Sequence, residues 1–391
     1  MAVQEIIACL GKLDSSLSTK PFKIGHIKEN VAFSFNTTTP LLEALIQFMH
    51  EFRHDSTPLA QLETELDEPF VPENVYEALR KKNVFNTLRG QQEDANEFMD
   101  YLINAIHEEM ANVILTQQQQ QQQQHQNKKQ AENANVEPNA NTRAPSIETS
   151  LDADGDGAGS GWLEVGPKNK GVLVRDSGQS TIETPINRIF GVTLRSTLSV
   201  PQAAGGEDFV GHAGKPPQSS NRESLQWLPL NVSSDTVDTI EEALDELFAP
   251  ETIEGHTNTL GQTMNIKKQY LLEKAPPVLV LYLKRLLFSH KEGAQKVHKF
   301  IEYPEVLTLS PKWFTRSAEA SKYKNKKYKL CSAIYHHGMH ASGGHYTCDI
   351  LRSASEWLRF DDGDVGCLSS IDDVLDEKKD RTAYILFYTT C

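Results

Sequence analysis

Apolar residues recur at helical spacing through the first third of the chain and at alternate positions through most of the rest. Val3, Ile6, Ile7 and Leu10 predict part of an amphipathic helix reaching about Leu13, with no cap residue ahead of it. The chain is therefore expected to begin in mid-element. Thr39 as cap, Pro40 in the first turn and a stripe of Leu42, Leu45, Ile46, Met49 and Phe52 predict a second helix. A short helix is expected near Pro72 to Lys82. The clearest one runs from about Gln92 to Leu115, where Ala95, Phe98, Met99, Leu102, Ile106, Met110 and Val113 keep the helical period.

From Gln117 to about Gly161 the pattern stops. Eight consecutive Gln give way to Asn, Ala and Lys and then to a Gly/Asp/Ser run, almost without large apolar side chains. Such a segment buries too little to offset its ordering entropy and is expected to be disordered. Its DADGDGAG stretch lacks the bidentate Glu and the flanking helices of a calcium loop, so no calcium is expected. Beyond Trp162 the period becomes two, in Phe190, Val192 and Leu194, in Leu228, Leu230 and Val232, and in Met264 and Ile266. A helix over Thr239 to Phe248 interrupts it, carried by Ile240, Ala243, Leu244 and Leu247, and Pro201 to Ser224 reads as a second flexible insert. The strongest strands are Val278–Leu283, Tyr328–Tyr335, His345–Leu351, Trp357–Phe360 and Ala383–Tyr388. Helices first and strands afterwards indicate an α+β architecture.

Composition narrows the function. The 391 residues carry 39 Lys plus Arg against 53 Asp plus Glu, and the net charge of −14 argues against nucleic acid or an anionic membrane and toward a basic partner. Cys9, Cys331, Cys348, Cys367 and Cys391 are too few and too scattered for a disulfide framework, and none forms a C-x-x-C pair. A reducing compartment follows, cytoplasmic with the nucleus as the alternative, and the N-terminus has neither the basic flank nor the long apolar core of a signal peptide.

The stretch richest in chemistry is Gly343-Gly344-His345-Tyr346-Thr347, followed after a polar RSASE turn by Trp357-Leu358-Arg359-Phe360-Asp361-Asp362-Gly363. In a hairpin centred near Ser353 or Ala354, His345 falls opposite Asp361 or within two residues of it. Tyr346, Cys348 and Ile350 then share one face with Leu358 and Phe360, leaving His345, Thr347, Trp357 and Asp361 on the other. A carboxylate there can hold one imidazole nitrogen and leave the second to take a proton from a thiol or hydroxyl, which is the orienting half of a nucleophilic triad. Gly343 and Gly344 would let another backbone approach closely. From these residues alone a surface His and Asp that merely share a hairpin is the favoured reading. His336, His337, His340 and His345 lack regular metal-ligand spacing.

Four ordered blocks resemble those of the ubiquitin-specific protease family: Gly90-Gln91-Gln92-Glu93-Asp94-Ala95-Asn96-Glu97-Phe98, Val278-Leu279-Val280-Leu281-Tyr282-Leu283-Lys284-Arg285, Gly343-Gly344-His345-Tyr346 and Phe360-Asp361-Asp362. Trp162 to Lys170, Thr184 to Gly191 and Ile334 to Gly338 are most similar to the family's ubiquitin-specific protease ten branch. The resemblance implies a papain-like α+β fold: a helical thumb over 1–115, an insert over 116–161, fingers over 162–275 with a flexible insert at 201–224, and a palm over 276–391. It implies a thiol-dependent deubiquitinase that binds ubiquitin and ubiquitinated proteins without a cofactor. By position His345 resembles the general base, Asp361 the residue that orients it and Asp362 an assisting group. Asp94, with Gln92 beside it, resembles the carboxylate that binds the ubiquitin tail, and Gly344 belongs to the same groove; Asp94 also suits a helix N-terminus.

The sequence departs from the family in two places. The family's nucleophile box, roughly Gly-Asn-x-x-Cys-Tyr-x-Asn, is missing; Cys9, between EIIA and LGKL, resembles a noncatalytic position past the nucleophile. The chain is expected to be an N-terminally truncated form, or else a catalytically inactive ubiquitin-binding protein. Phe190 to Leu272 holds no cysteine, so no zinc is expected in the fingers.

Overall fold

A computed structural model describes residues 38–50, 71–81, 94–134, 163–165, 171–176, 182–199, 218–257, 263–289, 293–317, 319–340, 343–352, 355–376 and 381–391. The helix expected before Leu13, Cys9 and Gln92 lie outside them. Three helices come first: α1 (Pro40–His50), α2 (Glu73–Lys81) and α3 (Ala95–Ala134). In α1 the buried positions are Leu41, Ala44 and Met49, so the inward stripe is turned by about one residue from the Leu42/Leu45/Ile46 face that periodicity predicts. The cause is Glu109 of α3, itself 3% exposed, whose carboxylate accepts from the backbone N–H groups of Leu41 and Leu42 at 3.1 and 3.0 Å and draws the first turn inward. Those donors have no partner within the helix, and an acid is the natural group to take them.

On α3 the buried stripe is Met99, Ile103, Ile106 and Met110, while Phe98 stays 38% exposed. The helix does not stop at Leu115. It continues through the glutamines to Ala134, exposed on every side from Thr116 to Asn127, which corrects the expectation of disorder for the first part of the insert. Gln is a good helix former, and a helix already nucleated extends at little cost.

The strands follow as β1 (Leu163–Val165), β2 (Gly171–Asp176), then α4 (Pro185–Phe190), β3 (Val192–Ser199), β4 (Gln218–Leu225), β5 (Leu228–Asn231), α5 (Ile240–Phe248), β6 (Glu251–Thr257), β7 (Thr263–Lys274), β8 (Val278–Lys284), β9 (Leu286–Ser289), β10 (Gly293–Lys296), β11 (Val306–Thr308), β12 (Lys327–His337), β13 (His345–Leu351), β14 (Trp357–Asp361), β15 (Asp364–Leu368), α6 (Asp372–Leu375) and β16 (Arg381–Thr390). One sheet runs β1-β2-β4-β3-β7-β6, a hairpin joins β9 to β10, and the largest sheet runs β15-β14-β13-β12-β16-β8-β5 with β11 added beside β12. The strands depart from the sequence pattern in two places. Gln218–Leu225, placed largely in the flexible insert, is strand β4, paired with β3 on one side and β2 on the other. Its polar residues give no apolar alternation; the ladder and an ion pair of Arg222 with buried Glu273 at 2.7 Å hold it, and Arg195 bonds the same carboxylate. Conversely β5 pairs with β8 and belongs to the large sheet. Phe190 closes α4, which Thr184 caps and Pro185 opens, instead of starting a strand.

The large sheet separates two apolar cores. Leu279, Leu281 and Leu283 pack with α5 and Trp313 on one face, whereas Val278, Val280, Tyr384 and Ile385 pack against α1, α2, α3 and α4 on the other. Burying both faces explains why β8, β12 and β16 read as nearly continuous apolar runs. Arg285 at the end of β8 is also buried, its guanidinium donating to the carbonyls of Ala383, Val297 and Lys299.

Candidate active site

His345 opens β13 and Asp361 closes β14. The register pairs Cys348 with Phe360 through Leu351 with Trp357, a hairpin centred on position 354, and His345 lies two residues along from direct opposition to Asp361, as the alternation predicts. The His345 imidazole Nε2 and Asp361 Oδ1 are 2.5 Å apart. Nδ1 is thereby left as the ring nitrogen for an incoming proton. Both side chains face solvent, at 41% and 52% exposure, so the pair sits at an open rim and not in the core.

Asp362 and Gly363 form the tight turn between β14 and β15, whose ladder closes on Asp361 paired with Asp364. Asp362 has φ of 49°, the left-handed conformation that Asp tolerates better than most residues. This turn puts a ligand atom of Asp362 within 4.8 Å of those on His345 and Asp361. The Asp-Gly dipeptide is the signal from which β15 could be expected and which the strand pattern alone misses. Behind the pair, His337 Nε2 and Thr347 Oγ1 are 2.8 Å apart, and the His337 and His345 rings lie 5.8 Å apart.

Gly344 is half-buried and packs against β12. A Cβ there would lie 2.4 Å from His336 Nε2 and 2.4 Å from the His337 carbonyl oxygen, so the close approach that needs this glycine is to the chain's own β12. Gly343, with φ of 104°, faces open space. The turn leaving β12 is tied down from outside: Lys296 donates to the carbonyls of His336 and Gly338, and His298 bonds the Met339 carbonyl.

Asp94 stands on the opposite face of β13 from His345, at the N-terminus of α3. Its Oδ1 accepts from the N–H groups of Asn96 and Glu97 at 2.8 and 3.1 Å, and its Oδ2 accepts from Tyr384 at 2.6 Å and Tyr346 at 3.3 Å. Tyr282 extends the group, its hydroxyl 3.4 Å from that of Tyr384. Burial, reinforced by the Asp94 carboxylate, pushes the Tyr384 and Tyr346 phenols well above their ordinary range, so both remain donors. His336, 3% exposed, stacks its ring 4.9 Å from that of Tyr346, and among the described residues its Nδ1 has no hydrogen-bond partner. Burial first, and the Lys296 ammonium second, pull its imidazole down to about 4. His345 and Tyr346 are adjacent on β13, so one strand carries the base toward the rim and a contact to α3 on the opposite face.

No described cysteine completes this arrangement. Cys331 is buried, Cys348 points toward Ser332 with its thiol pushed up to about 11 by burial, and Cys367 and Cys391 are exposed on other elements. The sequence reading brings together His345, Asp361 and Asp362, and separately Asp94; it misses Tyr282, Tyr384 and His336, which lie in strands that look like plain core.

His345 and Asp361 thus form an oriented pair on the rim of the large sheet, while the capped start of α3 meets the opposite face of β13. The chain belongs to the ubiquitin carboxyl-terminal hydrolase family, whose model matches residues 11–388. It is 31% identical over 368 residues to ubiquitin carboxyl-terminal hydrolase 10 of Rattus norvegicus, covering 90% of this chain and 42% of that protein. It is 32% identical over 379 residues to the probable ubiquitin carboxyl-terminal hydrolase 3 of Schizosaccharomyces pombe, covering 93% and 68%. The chain thus spans less than half the length of its vertebrate relatives. Among solved structures, the SAGA Ubp8/Sgf11/Sus1/Sgf73 DUB module bound to ubiquitin aldehyde shares the fold with a TM-score of 0.57 at 18% identity, over 99% of this chain and 64% of that one.

Proposed function

We propose that this chain is the catalytic domain of a cysteine-type deubiquitinase, hydrolysing isopeptide or peptide bonds at the C-terminal Gly of ubiquitin. The observation that carries the reading is the 2.5 Å contact of His345 Nε2 with Asp361. Asp361 fixes the Nε2–H tautomer, so Nδ1 can take the proton of a thiol, and it stabilises the imidazolium that results. The thiolate attacks the carbonyl carbon, the imidazolium returns the proton to the departing amine, and water activated by the same imidazole cleaves the thioester. Asp362 adds negative potential beside the imidazolium. Asp94, held by α3 and by Tyr384 and Tyr346, places a negative charge that suits the basic, extended tail of ubiquitin. A low cysteine count supports a reducing compartment, the cytoplasm or the nucleus.

Because no described cysteine stands beside His345, a second reading is a protein that grips ubiquitin without turnover. Two measurements decide. Titrating the chain with ubiquitin, and with ubiquitin lacking its C-terminal tail, should show binding only for the intact form; no binding to either removes both readings. Hydrolysis of a fluorogenic ubiquitin ester or amide by the product of the complete transcript, abolished in His345→Ala, supports the enzyme. Binding with no hydrolysis by that product leaves the second reading.

A further inference from the structure

We propose that Arg359 is a positioning residue for His345 and Asp361: its two-point bridge to buried Asp349 fixes the β13–β14 register that brings imidazole and carboxylate within reach. The proposal rests on reading His345 as the base, and it adds a part that the family resemblance does not supply. Asp349 and Arg359 are directly opposed across the two strands. Asp349 lies four residues after His345, and Arg359 two residues before Asp361, so alternation puts all of them on one face.

Asp349 is 0% exposed. Its Oδ1 accepts from Arg359 Nε and its Oδ2 from Arg359 Nη2, both at 2.7 Å, a planar fork matched to a carboxylate. Arg381, at the start of β16, donates to the same Oδ2 at 2.7 Å, stacks 3.6 Å from the centre of the Tyr335 ring and bonds the carbonyls of Asp373 and Asp376 beside α6. The bridge is therefore anchored to β12, β16 and the α6 turn.

His345 and Asp361 need that anchor. His345 is paired to β12 through His337 and Asp361 to β15 through Asp364, but between β13 and β14 the last paired rung is Cys348–Phe360; both side chains are exposed, so an ion pair between them has little strength to set that register itself. Asp349–Arg359 is the rung next inside that last pair. A slip of one residue would turn every side chain to the other face, and a buried carboxylate with a forked partner opposes any slip.

Arg359→Lys keeps the charge and removes the fork. The readout is the His345 side chain by nitrogen-15 NMR, which needs no turnover. In the parent chain the Nε2–H tautomer should dominate, with a downfield proton signal at low temperature and mildly acidic pH. In Arg359→Lys that proton signal should be lost and both tautomers appear, while far-ultraviolet circular dichroism stays unchanged. In an Asp361→Asn background the same substitution should add no further change. A folded Arg359→Lys with the parent His345 signal overturns the proposal, as does an equal effect in the Asp361→Asn background. Should Arg359→Lys fail to fold, Asp349→Glu retains the charge, moves the fork by one methylene and is read by the same proton. Failure of the base assignment would show separately, as undiminished hydrolysis in His345→Ala.

Discussion

The hydroxyl of Tyr384 on β16 donates to Asp94 Oδ2 at 2.6 Å, joining the last strand of the chain to the start of α3. Asp94 thus divides its oxygens, one for the helix N-terminus and one for the sheet. Tyr384→Phe keeps the ring, with its edge-on contact to Tyr282, and deletes this charge-assisted bond. The expected loss is about 1 to 2 kcal/mol in denaturant unfolding. Tyr282→Phe removes only a 3.4 Å contact between neutral hydroxyls and should cost less than half as much. Equal midpoints for the two variants would show that the Asp94 bond contributes nothing.

The glycines before His345 should respond differently to a methyl group. At Gly344 the obstacle is His336 and the His337 carbonyl, so Gly344→Ala should cost about 1 to 3 kcal/mol and be partly relieved by His336→Ala. At Gly343 the space is open and the cost is backbone strain at positive φ, which His336→Ala cannot relieve. A double-mutant cycle measures both, and the Gly344 coupling should exceed about 0.5 kcal/mol. Additive effects at Gly344 would contradict the packing described.

His345 and Asp361 are legible in the sequence because alternation and a polar turn of defined centre suffice to set a hairpin's register. Asp349, Arg359 and Arg381 are not, since polar residues at alternate strand positions look like a solvated face until a third strand brings its own cation. Asp94 is visible as a helix cap, but its tyrosine partners come from two distant strands whose periodicity reports only burial. Glu109 is hidden for the same reason: one acid on a helical stripe carries no sign that another helix will end on it. The overall α+β plan survives these omissions because it depends on period alone.

The continuation of α3 through its glutamines gives a third prediction. From Thr116 to Asn127 this helix touches no core, so nothing but its own hydrogen bonds and the preceding turns support it. Gln120→Pro should break the helix there and lower the helical circular dichroism signal, while the unfolding free energy of the rest stays within about 0.5 kcal/mol. An unchanged helical signal would mean that the segment is not helical in solution. A large fall in stability would mean that it packs on something.

His336 makes the stability of the molecule depend on pH. Its imidazole titrates at about 4 when folded and at about 6.5 when unfolded, because burial and Lys296 disfavour the cation. Between those values the unfolded chain binds the extra proton, so stability is complete above about pH 6.5 and falls as the solution is acidified toward pH 4. The full shift corresponds to about 3 kcal/mol. His107, whose Nδ1 lies 2.7 Å from the Thr184 hydroxyl and whose pKa is lowered by burial, moves in the same direction. Urea unfolding of the parent chain and of His336→Gln at pH 7 and pH 4.5 separates the two: the variant should lose distinctly less on acidification, with the residue of the effect left to His107 and the carboxylates. Parallel losses in the two proteins would place the His336 ring in contact with water, and with it would go the close packing that holds Gly344 against β12.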